Sequence, residues 1–402
     1  MPQLIRKSIA LLICLLFSSS QAQVRTGLEN LIGSKYANLS GKKVGLICNQ
    51  TSVTRSGEFS AKLFAHQKSF VLKALFTPEH GLRGSRKAGT KSDSSETFEG
   101  VPVYSLYGTT RKPTKSMLRG IDVLVFDMQD IGVRAYTYLS TMILAMESSS
   151  ANKIKFVILD RPNPLSGVRV EGNILDSSQF SFVGMLPIPY LHGMTLGELA
   201  TMAKGKRWFA GAEKLELEVI KMSGWKRTMY WNSTNFRWVA PSPNIPNFES
   251  AIGCALLGAI GELGIVSVGI GTDKPFLRLG SKLVKPDFFE KCVRQVIPKG
   301  FSLRRESYTV PYGDSTKTFD GLRIERSAEL STIPQLYGAE FQLIKLLSED
   351  SVFAKSMQSL PMSTLKMFEK VTGARNYLKT YSFDWKGDPI KFKADRKKYL
   401  LY

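Results

Sequence analysis

Short apolar runs recur through the first half of the chain, and each closes abruptly on polar side chains. Residues 44–48 run into Asn49, and the apolar stretch that opens residues 71–84 stops at Pro78-Glu79-His80-Gly81. Residues 121–126 run into Asp127-Met-Gln-Asp130, and residues 156–159 into Asp160-Arg161-Pro162-Asn163. Unbroken β-prone runs without polar alternation are the pattern of strands covered on both faces, as in a parallel sheet. Between them, residues 138–148 lack Gly and Pro and predict a crossover helix, while Thr195-Leu-Gly-Glu198 reads as a capping box opening a helix over 196–204. Glu198 is therefore structural by default. The alternation predicts an α/β fold, with a Rossmann-like, doubly wound domain over residues 23–204.

Residues 205–212, GKRWFAGA, break that helix with two glycines and a basic pair and mark the expected boundary to a smaller mixed α/β domain over 205–402. There, residues 215–220 and 264–268 predict strands. Residues 336–347 predict an amphipathic helix carrying Tyr337, Phe341, Ile344 and Leu347 on one face. Residues 241–246, PSPNIP, form an extended turn whose prolines would hold Asn244 in place for recognition.

In a parallel sheet the carboxyl ends of the strands line one crevice, so four tips distant in sequence can share one site. That gathers Asn49, Glu79, His80, Asp127, Asp130, Asp160 and Arg161 into a pocket holding several carboxylates.

The chain has 402 residues, 43% of them hydrophobic and 22% charged, a globular composition long enough for two domains. Residues 1–22 have a basic start, an apolar run over 8–17 and the small-residue end Ser20-Gln21-Ala22, the three regions of a signal peptide. They predict a mature protein starting near Gln23 and exported, to the periplasm. No other stretch is apolar for long enough to form a stable membrane span. Beyond the expected leader, which carries Cys14, the remaining Cys48, Cys254 and Cys292 are an odd set without CxxC spacing, which implies neither a disulfide framework nor a zinc ribbon. The net charge of +21 loses Arg6 and Lys7 with the leader. In an export compartment such a charge points away from nucleic acid and toward cell-wall fragments, anionic lipid surfaces or an acidic substrate, or else serves solubility alone.

Several chemistries drop out. The sequence contains no G-x-G-x-x-G, no phosphate loop and no G-x-S-x-G, and its three histidines have no metal-ligand spacing. Carboxylate chemistry survives, with Glu79, Asp127, Asp130, Asp160 and Glu171 near strand ends or loops. Glycosidic hydrolysis needs a proton donor and a stabiliser of the oxocarbenium-like centre, usually two carboxyl groups. Glu79, behind Leu75, Phe76 and Pro78, is the best placed for a raised pKa and for the role of general acid; the competing reading pairs it with Arg83. His80 either tunes Glu79 or hydrogen-bonds its loop. Arg83, Arg134 and Arg161 either read an acidic sugar in bidentate fashion or serve as structural ion-pair partners.

The strings LFTPEHGLRG, GVPVYSLYG, RKPT, DVLVFDMQDIGVRAYTY, LDRPNPLSG, EGNILD and PIPYLHGMTLGELA together resemble the bacterial exo-β-N-acetylmuramidase family, long catalogued as a domain of unknown function. The resemblance runs over about residues 25–402. It implies release of terminal β-1,4-linked N-acetylmuramic acid from peptidoglycan-derived saccharides, without a cofactor or metal. It also implies Glu79 as catalytic acid beside Asp127 and Asp130, with His80, Arg83, Arg134, Asp160, Arg161, Asn163, Glu171 and His192 lining the cleft. A later motif departs from the family pattern. Glu262, counted with the substrate contacts, is followed by Leu-Gly-Ile rather than Gly-Thr-Asn, and Ile270 and Lys274 stand where arginine is usual. These departures imply altered contacts to the far part of the substrate. A peptidoglycan-fragment binding protein without catalysis is the competing function, and a hydrolase for an ester or amide of the same polymer is a third.

Overall fold

The computed structural model describes residues 23–84, 96–385 and 387–402; the expected leader lies outside them. Seven strands form one sheet: β1 (Lys43–Cys48), β2 (Val71–Thr77), β3 (Glu96–Phe98), β4 (Val101–Ser105), β5 (Val123–Asp127), β6 (Lys155–Leu159) and β7 (Leu217–Ile220). Their order is β3-β4-β2-β1-β5-β6-β7, and every neighbouring pair is parallel except β3 with β4.

Both faces of the sheet's centre, β1, β5 and β6, are buried, which is why these strands lack polar alternation. On β1, Val44, Leu46 and Cys48 pack with Leu28 and Leu31 of α1 (Gly27–Gly33) and Phe64 of α2 (Ser60–Ala65). Ile47 faces the other way, toward Tyr138 and Met142 of α3 (Thr137–Ala151) and Leu199 of α4 (Leu196–Gly205). On β5 the same split separates Val123 and Val125 from Leu124 and Phe126. The predicted crossover helix and capping box are both present: Thr195 Oγ1 accepts from Glu198 N, and Glu198 accepts from Thr195 N.

From β1 the chain builds outward through β2 and β4, then returns to place β5 on the other side of β1. At that reversal the connecting loops diverge and leave a crevice outside the carboxyl ends of β1 and β5.

A second, antiparallel sheet has the order β8-β10-β9, from β8 (Arg278–Leu279), β9 (Phe301–Tyr312) and β10 (Ser315–Arg326). It shares a core with α5 (Phe248–Leu257), α6 (Pro286–Val296), α7 (Ala339–Leu347), α8 (Ser351–Gln358) and α9 (Met362–Thr372), through Ile252, Phe289, Leu322, Phe341, Phe353 and Phe368. Two further helices, α10 (Tyr377–Thr380) and α11 (Asp388–Arg396), complete the described chain.

Three sequence expectations change. The break expected at 205–212 falls inside the large sheet, because β7 follows it and pairs in parallel with β6. The strand expected over 264–268 is absent, leaving an isolated Ser267–Gly280 bridge between Gly264 and Gly269, whose positive φ values of 69° and 72° interrupt an extended run. The helix expected from 336 starts at Ala339, after Gly338 with φ 111°.

Candidate active site

Glu79 follows β2 on a turn in which His80 and Gly81 both have positive φ, 73° and 74°. Such a conformation is uncommon for a residue other than glycine and is a strain usually met at functional sites. The turn leaves Glu79 half-buried at the rim of the crevice while His80 is turned inward and buried. Around the carboxylate stand two hydroxyl groups. Thr137, the first residue of α3, donates from Oγ1 to Glu79 Oε2 at 3.2 Å. Tyr107 lies against it, its phenol pushed up by burial and then by the Glu79 carboxylate. Leu106 N extends the β2–β4 ladder to Thr77 O at 2.8 Å, which brings the β4 tip beside the β2 tip. Arg111 stacks between two rings on the same rim, 4.2 Å from the Phe182 centroid and 5.2 Å from that of Tyr107.

Behind Glu79, Tyr138 connects three strand tips. Its hydroxyl accepts from Asn49 Nδ2 at 2.7 Å and donates to the Pro241 carbonyl. Burial pushes its phenol up, and the carboxylates of Glu79 and Asp130 both add to the rise. Asp130 is 6% exposed, and burial pushes its carboxyl up to about 7. Its Oδ2 accepts from Gly132 N at 2.8 Å, while Oδ1 has no partner among the described residues. Glu79, Tyr138 and Asp130 thus bring a half-exposed carboxylate and a buried carboxyl that exchanges its proton near neutral pH into one electrostatic neighbourhood.

The other carboxylates at the tips serve differently. Asp127 is fully buried and holds Arg161, whose Nε donates to its Oδ1 at 2.6 Å. Asp160 is enclosed: Oδ2 accepts from Thr195 Oγ1 and from Tyr402 OH, each at 2.6 Å, and Oδ1 accepts from Gly197 N at 2.9 Å. Burial still raises it to about 6. A Cβ on Gly197 would lie 2.9 Å from Asp160 Oδ2, so the helix start approaches this carboxylate only as glycine.

Several sequence candidates are built into the scaffold. Arg134 is fully buried, with Nη1 donating to the carbonyls of Asn173 and Ile188 and Nη2 to those of Val371 and Thr372. Asn163 accepts from Leu165 N and donates to Met194 O, at 2.9 and 3.0 Å. Glu171 binds Arg169 on one oxygen and the N–H groups of Leu336 and Tyr337 on the other, at 2.7 and 2.8 Å. His192 is 1% exposed and neutral, pushed down to about 3 by burial with Arg396 and Arg134 nearby. Arg83 and Glu262 are exposed and Asn244 is half-buried in its proline turn. Ile270 is exposed on a loop that Arg278 braces by pairing with Asp273 and Glu306. Among the described residues no group of three His, Cys, Asp or Glu side chains is placed to hold a metal ion.

Sequence reasoning did not single out Tyr107, Arg111, Thr137 and Tyr138. They lie inside the quoted strings, but hydroxyl and aromatic side chains without periodicity, or one arginine among many, carry no chemical mark of their own.

Two family models match the chain: "Exo-beta-N-acetylmuramidase NamZ, N-terminal" over residues 44–249 and its C-terminal counterpart over 256–402. The chain is 36% identical over 400 residues to the peptidoglycan β-N-acetylmuramidase NamZ of Bacillus subtilis, covering 96% of this chain and 93% of that one. Two crystal structures of DUF1343 family proteins from Bacteroides fragilis are similar. One has a TM-score of 0.86 at 33% identity, covering 94% of this chain and 99% of the other. The second has a TM-score of 0.69 at 27% identity, covering 95% and 99%.

Proposed function

The chain belongs to the exo-β-N-acetylmuramidase family, and on that premise we propose that it is a glycoside hydrolase releasing terminal β-1,4-linked N-acetylmuramic acid from peptidoglycan fragments. The observation that carries the chemistry is Glu79 on its strained turn, half-exposed beside Thr137 and Tyr107, with Glu79 and the buried Asp130 both acting on Tyr138 behind it. Glu79 delivers the proton to the leaving glycosidic oxygen. Asp130 is the second carboxyl that glycoside hydrolysis calls for. The strand order, with its reversal between β1 and β5, supports reading the large sheet as Rossmann-like and doubly wound. The pattern of residues 1–22 supports export to the periplasm, where the polymer lies.

For the lactyl carboxylate that distinguishes muramic acid from N-acetylglucosamine, Arg134 has its fork occupied and Arg161 is bound to Asp127. Arg111, held between Phe182 and the Tyr107 that lies against Glu79, is the residue assigned to this group.

Glu79→Gln is expected to leave the fold and sugar binding intact and to lower turnover of a muramic acid glycoside by about two to four orders of magnitude. A substrate whose leaving group needs no protonation should recover part of the rate. Near-wild-type turnover on a poor leaving group removes Glu79 from the role. Arg111→Gln is expected to raise KM for muramic acid substrates by about tenfold. Equal loss on N-acetylglucosamine substrates would show that Arg111 does not read the carboxylate.

A further inference from the structure

Residues 381–385 read Tyr-Ser-Phe-Asp-Trp, with an aromatic side chain at every second position. Tyr381, in the left-handed region at φ 50°, ends α10. From there burial alternates: Tyr381, Phe383 and Trp385 are half-buried, while Ser382 and Asp384 are exposed. That is the period of an extended chain laid along a surface, and the surface here is the outside of the C-terminal core. Ring centroids of Phe341 on α7 lie 5.4 Å from Phe383 and 4.9 Å from Tyr377, and those of Tyr337 and Trp385 lie 5.3 Å apart. Tyr377 OH donates to the Phe341 carbonyl, which fixes the aromatic row from behind.

This row and α7 line a cavity of about 460 Å³. Its volume falls within the range of about 300–1,000 Å³ that small-molecule sites occupy. Its lining residues all lie between 335 and 385, and it shares none with the strand tips of the large sheet. Gln342 and Lys345, three residues apart on α7, stand on one helix face; both are exposed, as is Gln335. At Gly338, with φ 111°, a Cβ would lie 3.1 Å from Gln335 Nε2 and 3.3 Å from Trp385 Cζ2. The bare backbone there lets both side chains close on it.

The lining narrows the ligand. Half-exposed aromatic rings take the C–H face of a pyranose or an acetamido methyl out of water, and the amides and ammonium of the same cavity hydrogen-bond hydroxyl and acetamido groups. An apolar peptide helix seated here would strip water from those polar groups without replacing it. The rim carries one charge of each sign, Lys345 and Asp384, so a polyanion gains little from it.

We propose that this cavity is a non-catalytic saccharide site that holds a β-1,4-linked chain of N-acetylated amino sugars at a second point, apart from the Glu79 crevice. The sugar rings lie on Phe383 and Trp385, and the acetamido groups meet Gln342 and Lys345. A glycan strand held here has a raised effective concentration at the crevice. The choice of amino sugar rests on the proposed function; the stacking of a saccharide on the aromatic row does not.

The test is calorimetric titration of the full chain with chitotetraose, with cellotetraose, which lacks the acetamido groups, and with the dipeptide alanyl-glutamate. The expected result is saturable binding of chitotetraose, weakened about tenfold or more in Trp385→Ala and in the double variant Gln342→Ala with Lys345→Ala. Cellotetraose should bind wild type more weakly by a similar factor. Cleavage of a small chromogenic muramic acid glycoside by these variants stays within about twofold of wild type, while KM for long glycan strands rises with kcat unchanged. Both α7 positions are exposed, so the double variant reads the site even where Trp385→Ala disturbs packing against Tyr337. Absent chitotetraose binding, or binding that the double variant leaves unchanged, overturns the proposal. Equal affinity for cellotetraose overturns the amino-sugar assignment, and tight binding of the dipeptide in place of the oligosaccharide overturns the saccharide assignment. Binding as expected without any muramic acid glycosidase activity overturns the proposed function and leaves this site standing.

Discussion

Arg134 illustrates how a side chain's neighbours decide its role. Its guanidinium meets four carbonyl oxygens, two on each terminal nitrogen, and burial lowers its pKa to about 10. An ammonium has three donors on one point and cannot span that fork. Arg134→Lys is therefore expected to destabilise the protein by about 2–4 kcal/mol, read as a lower urea midpoint, because buried carbonyls lose their donors. Substrate preference of the folded fraction should not change. A variant of wild-type stability with altered sugar preference would return Arg134 to the cleft.

At the scale of elements, the start of α4 and the end of the chain meet on one carboxylate. Thr195 caps the helix and donates to Asp160 Oδ2, and Tyr402 OH donates to the same oxygen while accepting from Met222 N at 3.0 Å. Thr195→Ala is expected to cost about 1–2 kcal/mol through the lost cap and the lost donor. Tyr402→Phe should cost about 1 kcal/mol, since Thr195 still serves the oxygen. Both together leave a buried carboxylate oxygen unserved, so the double variant should lose at least about 0.5 kcal/mol more than the sum of the two. Simple additivity in chemical denaturation would show that the two hydroxyls act independently.

Across the whole molecule, Glu340 links the C-terminal helices to the turn at Ala259, whose N–H it binds at 3.1 Å. Burial pushes its carboxyl from 4.5 up to about 8. The folded state therefore holds this proton more tightly than the unfolded chain does. Its contribution is fully present below the unfolded pKa and is lost as pH rises through the folded value. His192 acts from the acid side: with its folded pKa depressed from 6.5 to about 3, stability is lost as pH falls across that window. Glu340→Gln keeps the acceptor without the charge, so the loss of stability from pH 4.5 to 8 should shrink by on the order of 1–3 kcal/mol. Urea midpoints at several pH values across that range check it. An unchanged slope would mean the carboxyl is not held neutral.

Much of the large sheet was legible in the sequence, because a strand covered on both faces must be continuously apolar and the chain must turn polar where it leaves the sheet. Residues 44–48, 121–126 and 156–159 lie within one residue or two of observed β1, β5 and β6, and the Glu79 turn follows β2 as expected. The capping box at Thr195 was legible for the same local reason: its partners lie three residues apart. What only the tertiary structure decided is which polar residues face the crevice and which are sealed, since that depends on partners remote in the chain. Arg134 finds Thr372 across 238 residues and Asp160 finds Tyr402 across 242. A carboxylate or guanidinium looks alike in sequence whether it meets solvent or a backbone carbonyl, and only the folded chain brings that second group within reach.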